Sequence, residues 1–390
     1  MNPIYLDHNS TTPVDPKVLK AMIPYFSEKF GNAASRNHNF GMTSMEAVKE
    51  ARQQIASLIN ASKHEVVFTS GATESINLAI KGFVDNNSST GKHIIVPKTE
   101  HKAVLDTCET LVYKGFDVTY LDVQGSGIID IEELKSQINE QTILIAVMHA
   151  NNEIGVLQPI KEIGMLCNKH NLAFFVDAAQ SFGKEDVNVK DCNIDFLSAS
   201  GHKIYGPKGI GILYVNKDKD QLSIKPLIDG GGHEGGLRSG TLNVPGIVGF
   251  GEAANIASKQ MVSDRTRELG LRNRFIEKLT AQIDNFYING DLTHRLAGNI
   301  NVSFDGVNGD ALLLNMDDIA VSNGAACSST VKEPSYVLQA IGRTKELAEA
   351  SLRIGIGRDT TKDNIDYAVN KISSVVKNLR EIESLKSDLL

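Results

Sequence analysis

The sequence lacks the features that mark several large classes of protein. No stretch approaches 18 consecutive apolar residues, so no apolar membrane-spanning helix is expected. Its first residues, Met1-Asn2-Pro3-Ile4-Tyr5, carry neither the basic start nor the apolar core of a secretory signal. Only four cysteines occur in 390 residues. Cys108, Cys167, Cys192 and Cys327 are too widely spaced for a disulfide framework or a CxxC zinc pattern, and a reducing cytoplasm is the expected location. Cationic charge is not in excess. The formal net charge is −7, which argues against a broadly basic surface for nucleic acid, and no direct nucleic-acid partner is expected. His38, His149 and His170 lack metal-ligand spacing, so no metal site is expected. There is no internal repeat and no low-complexity tract. Tryptophan is also absent, and nothing follows from that.

What is present is ordinary for a globular enzyme. Apolar residues make up 41% and charged residues 22%, and the length suggests two domains or one large domain with an appendage. Apolar strand-like runs alternate with helical periods from about residue 45 to 215. The runs Glu65–Thr69, His93–Val96, Thr142–Met148, Leu172–Val176 and Phe196–Ala199 lead this pattern, with helices expected over Thr73–Phe83, Ala103–Lys114 and Ile160–His170. Such alternation implies an α/β fold with a mainly parallel sheet covered on both faces. Gly230–Thr241 breaks the pattern and reads as a functional loop. A long helical stretch follows, roughly Val244–Ile283. Strands at Asn299–Phe304, Ile319–Val321 and Leu352–Ile356, with an amphipathic helix over Thr361–Leu385, suggest a smaller α+β domain. The expected division is a large domain at 15–260 and a small one built from 1–14 and 261–390.

The most informative residues are Asp177, which ends one apolar run, and Lys203, which follows another in Ser200-Gly201-His202-Lys203. A lysine after a strand is usually a solvated loop residue. Paired with a carboxylate at the same sheet edge, it can form a Schiff base with an aldehyde while the carboxylate holds a pyridine nitrogen. Pyridoxal phosphate (PLP) needs both. Thr69-Ser70-Gly71-Ala72-Thr73-Glu74 follows a strand and opens a helix. It reads equally as a helix cap, with Ser70 or Thr73 capping, or as an anion cradle in which Ala72 and Thr73 start the helix. The absence of GxGxxG and GxxxxGK(S/T) patterns here favours a single phosphate over a nucleotide.

His101 follows Thr99-Glu100 at a strand end, where an imidazole either caps the next helix or stacks on a pyridine ring. Asn151–Gly155 is a polar turn at the same edge, and Gln180 lies three residues beyond Asp177. Arg353 is either a salt-bridge partner or a two-point holder of a substrate carboxylate. Cys327 sits in Ser322-Asn323-Gly324-Ala325-Ala326-Cys327-Ser328-Ser329, a small polar run expected to be a mobile exposed loop. It is either an incidental cysteine near a turn or a working thiol. Cys108 and Cys167 lie on apolar helical faces and read as packing residues, and Cys192 has no assigned role.

In this order and almost end to end, these motifs resemble the cysteine desulfurases of the NifS/IscS type, within the PLP-dependent class-V aminotransferase superfamily. The resemblance also rests on Tyr5-Leu6-Asp7, Thr11–Pro16, Arg238-Ser239-Gly240-Thr241, Glu333–Leu338 and Leu352-Arg353. It implies PLP fold type I with a seven-stranded-type sheet and assigns roles. Lys203 would hold PLP, Asp177 the pyridinium nitrogen and Gln180 the phenolic oxygen, with His101 stacked on the ring. Ala72, Thr73, Ser200 and His202 would bind the phosphate, joined by Thr241 from the other subunit of a homodimer. Asn152 and Arg353 would hold the carboxylate of L-cysteine. Cys327 would take its sulfur as a persulfide, leaving L-alanine, and pass it to a sulfur-acceptor protein such as an iron–sulfur scaffold or a thiolation protein. Departures from the family pattern are Asn323 and Ala325 where serines are common, Ala33 where a proline is common, and Gly235 where an arginine is common. A selenocysteine lyase or another class-V aminotransferase is the alternative enzyme, and a non-catalytic sulfur-relay protein the alternative outside enzymes. Cys327 separates the desulfurase from a transaminase, which needs no such thiol.

Overall fold

The computed structural model describes residues 3–219, 221–323 and 333–387. Strand β1 (Ile4–Tyr5) opens it, and seven strands then build the main sheet: β2 (Val66–Thr69), β3 (His93–Pro97), β4 (Asp117–Leu121), β5 (Thr142–Met148), β6 (Ala173–Asp177), β7 (Phe196–Ser200) and β8 (Gly211–Val215). Their spatial order is β2-β8-β7-β6-β5-β3-β4. All neighbours are parallel except β8, which runs antiparallel to both β2 and β7. Strands β2, β3, β5, β6, β7 and β8 are buried at every position. A parallel sheet sandwiched between helices needs apolar residues on both faces, which is why these segments read as continuous apolar runs rather than alternating ones.

Helices α1 (Asn39–Leu58), α4 (Ile160–Lys169) and the first half of α5 (Val244–Thr280) cover one face through Val48, Ile55, Ile163, Ile247 and Phe250. Helices α2 (Ala72–Asn87) and α3 (Lys102–Val112) cover the other through Ile76, Ile80, Val104 and Leu111. The packing cysteines are where the sequence placed them. Cys108 and Cys167 are buried among these side chains, and burial pushes the Cys108 thiol up to about 12.

A second, antiparallel sheet has the order β12-β10-β9, formed by β9 (Phe286–Ile288), β10 (Asn299–Phe304) and β12 (Ser351–Gly355). Strand β11 (Ile319–Ala320) pairs in parallel with β1, which returns the N-terminus to this half of the molecule. Its core holds Leu6, Leu271, Phe275, Val302 and Leu352, closed by Ile365, Val369 and Ile372 of helix α6 (Lys362–Ser387). Helix α5 runs unbroken through the division expected at residue 260. Its apolar side changes partner within that stretch: residues up to Ala257 are buried toward the main sheet, and Leu271 onward toward the second. Among the described residues, no helix is long and apolar enough to cross a membrane.

Candidate active site

Strands β2, β3, β5, β6 and β7 all end at one edge of the main sheet, since two antiparallel steps through β8 return β2 to the direction of β7. A cleft of about 720 Å³ lies beyond that edge. Asp177, the last residue of β6, is 4% exposed there. Its Oδ1 accepts from Ser198 Oγ at 3.0 Å and from Ala179 N at 2.9 Å, which leaves Oδ2 for a cation in the cleft. Lys203 ends a short 3₁₀ turn directly after β7. Its Nζ donates to the carbonyls of Asn9 at 2.6 Å and Ser10 at 2.7 Å. Burial, reinforced by the cations Lys184 and Arg353, lowers the Lys203 amine to about 7. A lysine so tuned is deprotonated often enough near neutral pH to attack a carbonyl.

The anion cradle expected from the sequence is the start of α2. The capping residue is Gly71, with no side-chain cap bond, so neither Ser70 nor Thr73 caps as the sequence suggested. Glu74 instead accepts from Ser70 N at 2.8 Å, and Arg238 holds its other oxygen at 2.8 Å. The first N–H groups of the helix stay open to the cleft beside Ala72 and Thr73. A Cβ on Gly71 would meet nothing within 4 Å, so the space above it can hold an anion. Ser200 and His202 line the same end. Burial, followed by the charge of Lys203, lowers His202 to about 4, and its Nδ1 lies 3.0 Å from Thr11 Oγ1.

The capping reading of His101 holds, and the ring also faces the cleft. Its Nδ1 accepts from Ala103 N at 3.1 Å and caps α3. That bond leaves Nε2 to carry the ring proton. Behind it, Glu100 is wholly buried, its Oε1 taking Met148 N at 2.6 Å while Oε2 has no partner. Burial raises its carboxyl well above the usual range. Gln180 also lines the cleft, with Nε2 donating to Asn9 O at 2.8 Å.

The other end of the cleft comes from both sheets. Asn151 Oδ1 accepts from Glu153 N at 2.8 Å and Ile154 N at 3.0 Å, a tight turn that places Asn152 in the wall. Asn152 Oδ1 is buried there without a partner. Arg353, on β12, sends Nη1 to Asn152 O at 2.9 Å and Nη2 to Asp7 Oδ1 at 2.8 Å and Ser10 Oγ at 2.5 Å, and its Nε is also unpartnered. Ser322 Oγ donates to Asp7 Oδ2 at 3.1 Å. The arginine is therefore both a salt-bridge partner and a group with donor capacity left for an acid.

Asp177, Lys203, His101, Gln180, Ala72, Thr73, Ser200, His202, Asn152 and Arg353 thus share one cleft. Thr241 does not line it in its own chain and is exposed. Cys327 lies outside the described residues. The residue-level reading missed Asn9, Ser10, Lys208 and Ser322, all of which line the cleft. The first two serve through backbone carbonyls, so no side-chain type announced them. The polar run His8–Thr12 follows the short apolar strand, and His8, Asn9 and Thr12 are buried.

The donor set fits PLP: a lowered amine for the aldehyde, a buried carboxylate for the pyridinium and an open helix N-terminus for the phosphate. Comparison with known proteins agrees. The sequence model described as aminotransferase class-V matches residues 4–368. A cysteine desulfurase IscS of Rickettsia bellii (strain OSU 85-389) is 52% identical over 98% of this chain and 93% of its own. Among solved structures, a NifS-like protein superposes with a TM-score of 0.89 at 36% identity, covering 97% of this chain and 100% of that one. SspA in complex with cysteine superposes at 0.80 with 40% identity, covering 91% and 99%.

Proposed function

The chain belongs to the class-V aminotransferase family, and from that premise we propose that it is a PLP-dependent cysteine desulfurase acting on L-cysteine. The observation that carries this reading is that Lys203 and Asp177 share one cleft with an uncapped helix N-terminus at one end and Arg353 at the other. When bound, PLP supplies an electron sink for the substrate carbon that bears the amine.

The chain's own groups do the rest. Lys203 would hold the cofactor through its amine and would move protons at the substrate carbon. Asp177 keeps the pyridine nitrogen protonated by charge attraction. Gln180 would hold the ring oxygen, and His101 would lie against the ring and serve in proton exchange there. Ala72, Thr73, Ser200 and His202 hold the phosphate, completed by Thr241 of a second copy in a homodimer. Arg353 and Asn152 fix the substrate carboxylate by donating to it, through the guanidinium and the side-chain amide N–H groups.

Cys327 attacks the substrate sulfur as a thiolate. The carbon–sulfur bond breaks, a sulfur–sulfur bond forms on Cys327, and the carbon takes a proton to leave L-alanine. The persulfide then passes to an acceptor protein, of the iron–sulfur scaffold or thiolation type. A working thiol needs a reducing compartment, and the cytoplasm provides one. The division into a large unit at 15–260 and a small one at 1–14 and 261–390 is part of this reading. The cofactor would sit on the first, and the second carries Arg353 and, in its sequence, Cys327.

The test is alanine release from L-cysteine with excess reductant, with mass spectrometry of the enzyme. Wild type is expected to make alanine and carry the extra sulfur on Cys327. Cys327→Ser should keep the yellow cofactor and lose alanine formation by at least about 100-fold, since a hydroxyl is far poorer than a thiolate near neutral pH. Substantial alanine from the serine variant, or a persulfide mapped to another cysteine, would move the chemistry off Cys327. Amino transfer to a keto acid with no sulfur chemistry would favour the aminotransferase alternative.

A further inference from the structure

The glycine-rich segment 230–241 is tied to itself and to the main sheet. Within it, Gly232 N donates to Ser239 Oγ at 3.2 Å and Gly240 N to His233 Nδ1 at 3.3 Å. Two ion pairs then fasten it. Arg238 reaches Glu74 at the phosphate cradle, and Glu234 reaches Arg52 of α1. The second pair is the deeper. The Glu234 side chain is 3% exposed and accepts three bonds: Arg52 Nη1 at 2.7 Å, Arg52 Nη2 at 2.6 Å and Phe68 N at 2.7 Å. Arg52 also gives Nη1 to Val66 O at 2.5 Å and lies over the Phe68 ring, 4.5 Å from its centroid.

Val66 and Phe68 belong to β2, the outer strand of the sheet. The pair therefore takes up edge groups that no neighbouring strand satisfies. Glu234 achieves this from a backbone φ of 52°, in the left-handed region that disfavours any residue with a Cβ. Gly235 and Gly236 follow at 67° and 85°. A strained non-glycine residue whose carboxylate is fully bonded marks a fixed point. Thr241 stands five residues beyond the end of this turn, exposed and away from its own chain's cleft.

We propose that Glu234 is a positioning residue: its latch on Arg52 and the β2 edge fixes the arm that presents Thr241 to the cofactor phosphate of a second copy of this chain. This rests on the reading of Thr241 given above. Without the latch, the partly buried Arg52 loses its carboxylate partner, the left-handed turn loses what holds it, and the hydroxyl is no longer delivered at a fixed place.

The test follows PLP dissociation from the purified holoenzyme by visible absorbance. Thr241→Ala should weaken retention by about 10- to 100-fold, the worth of one charge-assisted hydrogen bond to a phosphate. Glu234→Ala should lose a similar factor, and Glu234→Gln, which keeps the shape and drops the charge, a smaller one. The double variant Glu234→Ala/Thr241→Ala should be no weaker than Thr241→Ala alone, because residues acting through one contact are not additive. Proteolysis within 230–241 should quicken in the Glu234 variants and stay at the wild-type rate in Thr241→Ala. Losses that multiply in the double variant would overturn the proposal. So would wild-type retention in Glu234→Ala while Thr241→Ala is weakened, and that result would leave the role of Thr241 standing. Wild-type retention in Thr241→Ala would also overturn it and would place the failure in the reading of Thr241. If Glu234→Ala does not fold, Glu234→Gln in the same cycle decides: wild-type retention there, beside a weakened Thr241→Ala, overturns the latch.

Discussion

The two ends of the cleft are built in different ways. The end proposed for the cofactor takes its backbone positions from neighbouring strand ends, although the Asn9 and Ser10 carbonyls that hold Lys203 come from 194 and 193 positions away. Asp177 closes one strand, Lys203 follows the next by a single 3₁₀ turn, and the phosphate cradle is the first turn after β2. The substrate end is assembled from parts that lie far apart in the chain. Arg353 bonds Asp7, 346 positions away, and Asn152, 201 positions away. The first end inherits its geometry from the sheet, because strand termini in such folds point their following residues into the crevice. The second depends on β1 pairing with β11 and on β12 lying beside the N-terminal segment. The backbone of the first end is set by strand termini of one sheet, whereas the second needs both sheets packed together.

The most damaging way to probe the contrast is at the cofactor end. Lys203→Ala removes the amine that the Asn9 and Ser10 carbonyls hold in the cleft. Borohydride trapping of PLP and the visible colour of the enzyme should both disappear, and turnover with them. Trapping at wild-type level on this variant would take the role from Lys203. The substrate end should fail differently. Arg353→Lys keeps the charge toward Asp7 but loses the fork that reaches Asn152 and an acid at once. KM for L-cysteine should rise about 10- to 100-fold, with PLP content and spectrum unchanged. If the lysine variant instead sheds PLP, the two ends are not independent and the contrast collapses.

The same contrast explains what the sequence disclosed. Asp177, Lys203 and the Thr69–Glu74 turn are each announced by the apolar run before them, so their position at the sheet edge is legible from spacing alone. Helix α5 is legible as a helix, yet nothing in its period says that it serves two cores. The role of Arg353 as a partner of Asp7 was open to two readings, and the structure realises one while leaving capacity for the other. Asn9 and Ser10 contribute backbone carbonyls, which carry no side-chain signature at all. Glu234 was noted only as part of a glycine-rich stretch. Its burial follows from Arg52, 182 positions earlier, and pairing at that distance is a tertiary fact with no local trace.

The smallest expected effect concerns stability. The folded protein lowers the Lys203 amine from 10.5 to about 7, chiefly by burial. Below pH 7 the lysine is charged in both folded and unfolded chains, so the folded state bears the full penalty of a buried cation. Between about 7 and 10.5 the folded lysine is neutral while the unfolded one still binds a proton. The unfolded state then holds more protons, and the stability of the wild type rises with pH. Above 10.5 the two states are alike. Lys203→Met, of similar length and without charge, should therefore melt a few degrees above the cofactor-free wild type near pH 6, about 1–3 °C once partial solvent access is allowed for. That gap should close as the pH approaches 10. The Asn9 carbonyl keeps a donor in Gln180 Nε2, so the variant is not left with both acceptors stranded. Arg353→Lys should show no comparable gap, because the charge there is matched by Asp7 and is not removed. Differential scanning fluorimetry of the three cofactor-free proteins from pH 6 to 10 measures this. A constant gap across that range would mean that Lys203 is not the group that titrates. A variant less stable than wild type at pH 6 would mean that the Asn9 and Ser10 bonds outweigh the buried charge, and that the cofactor end holds its lysine without the loss of stability that functional sites commonly carry.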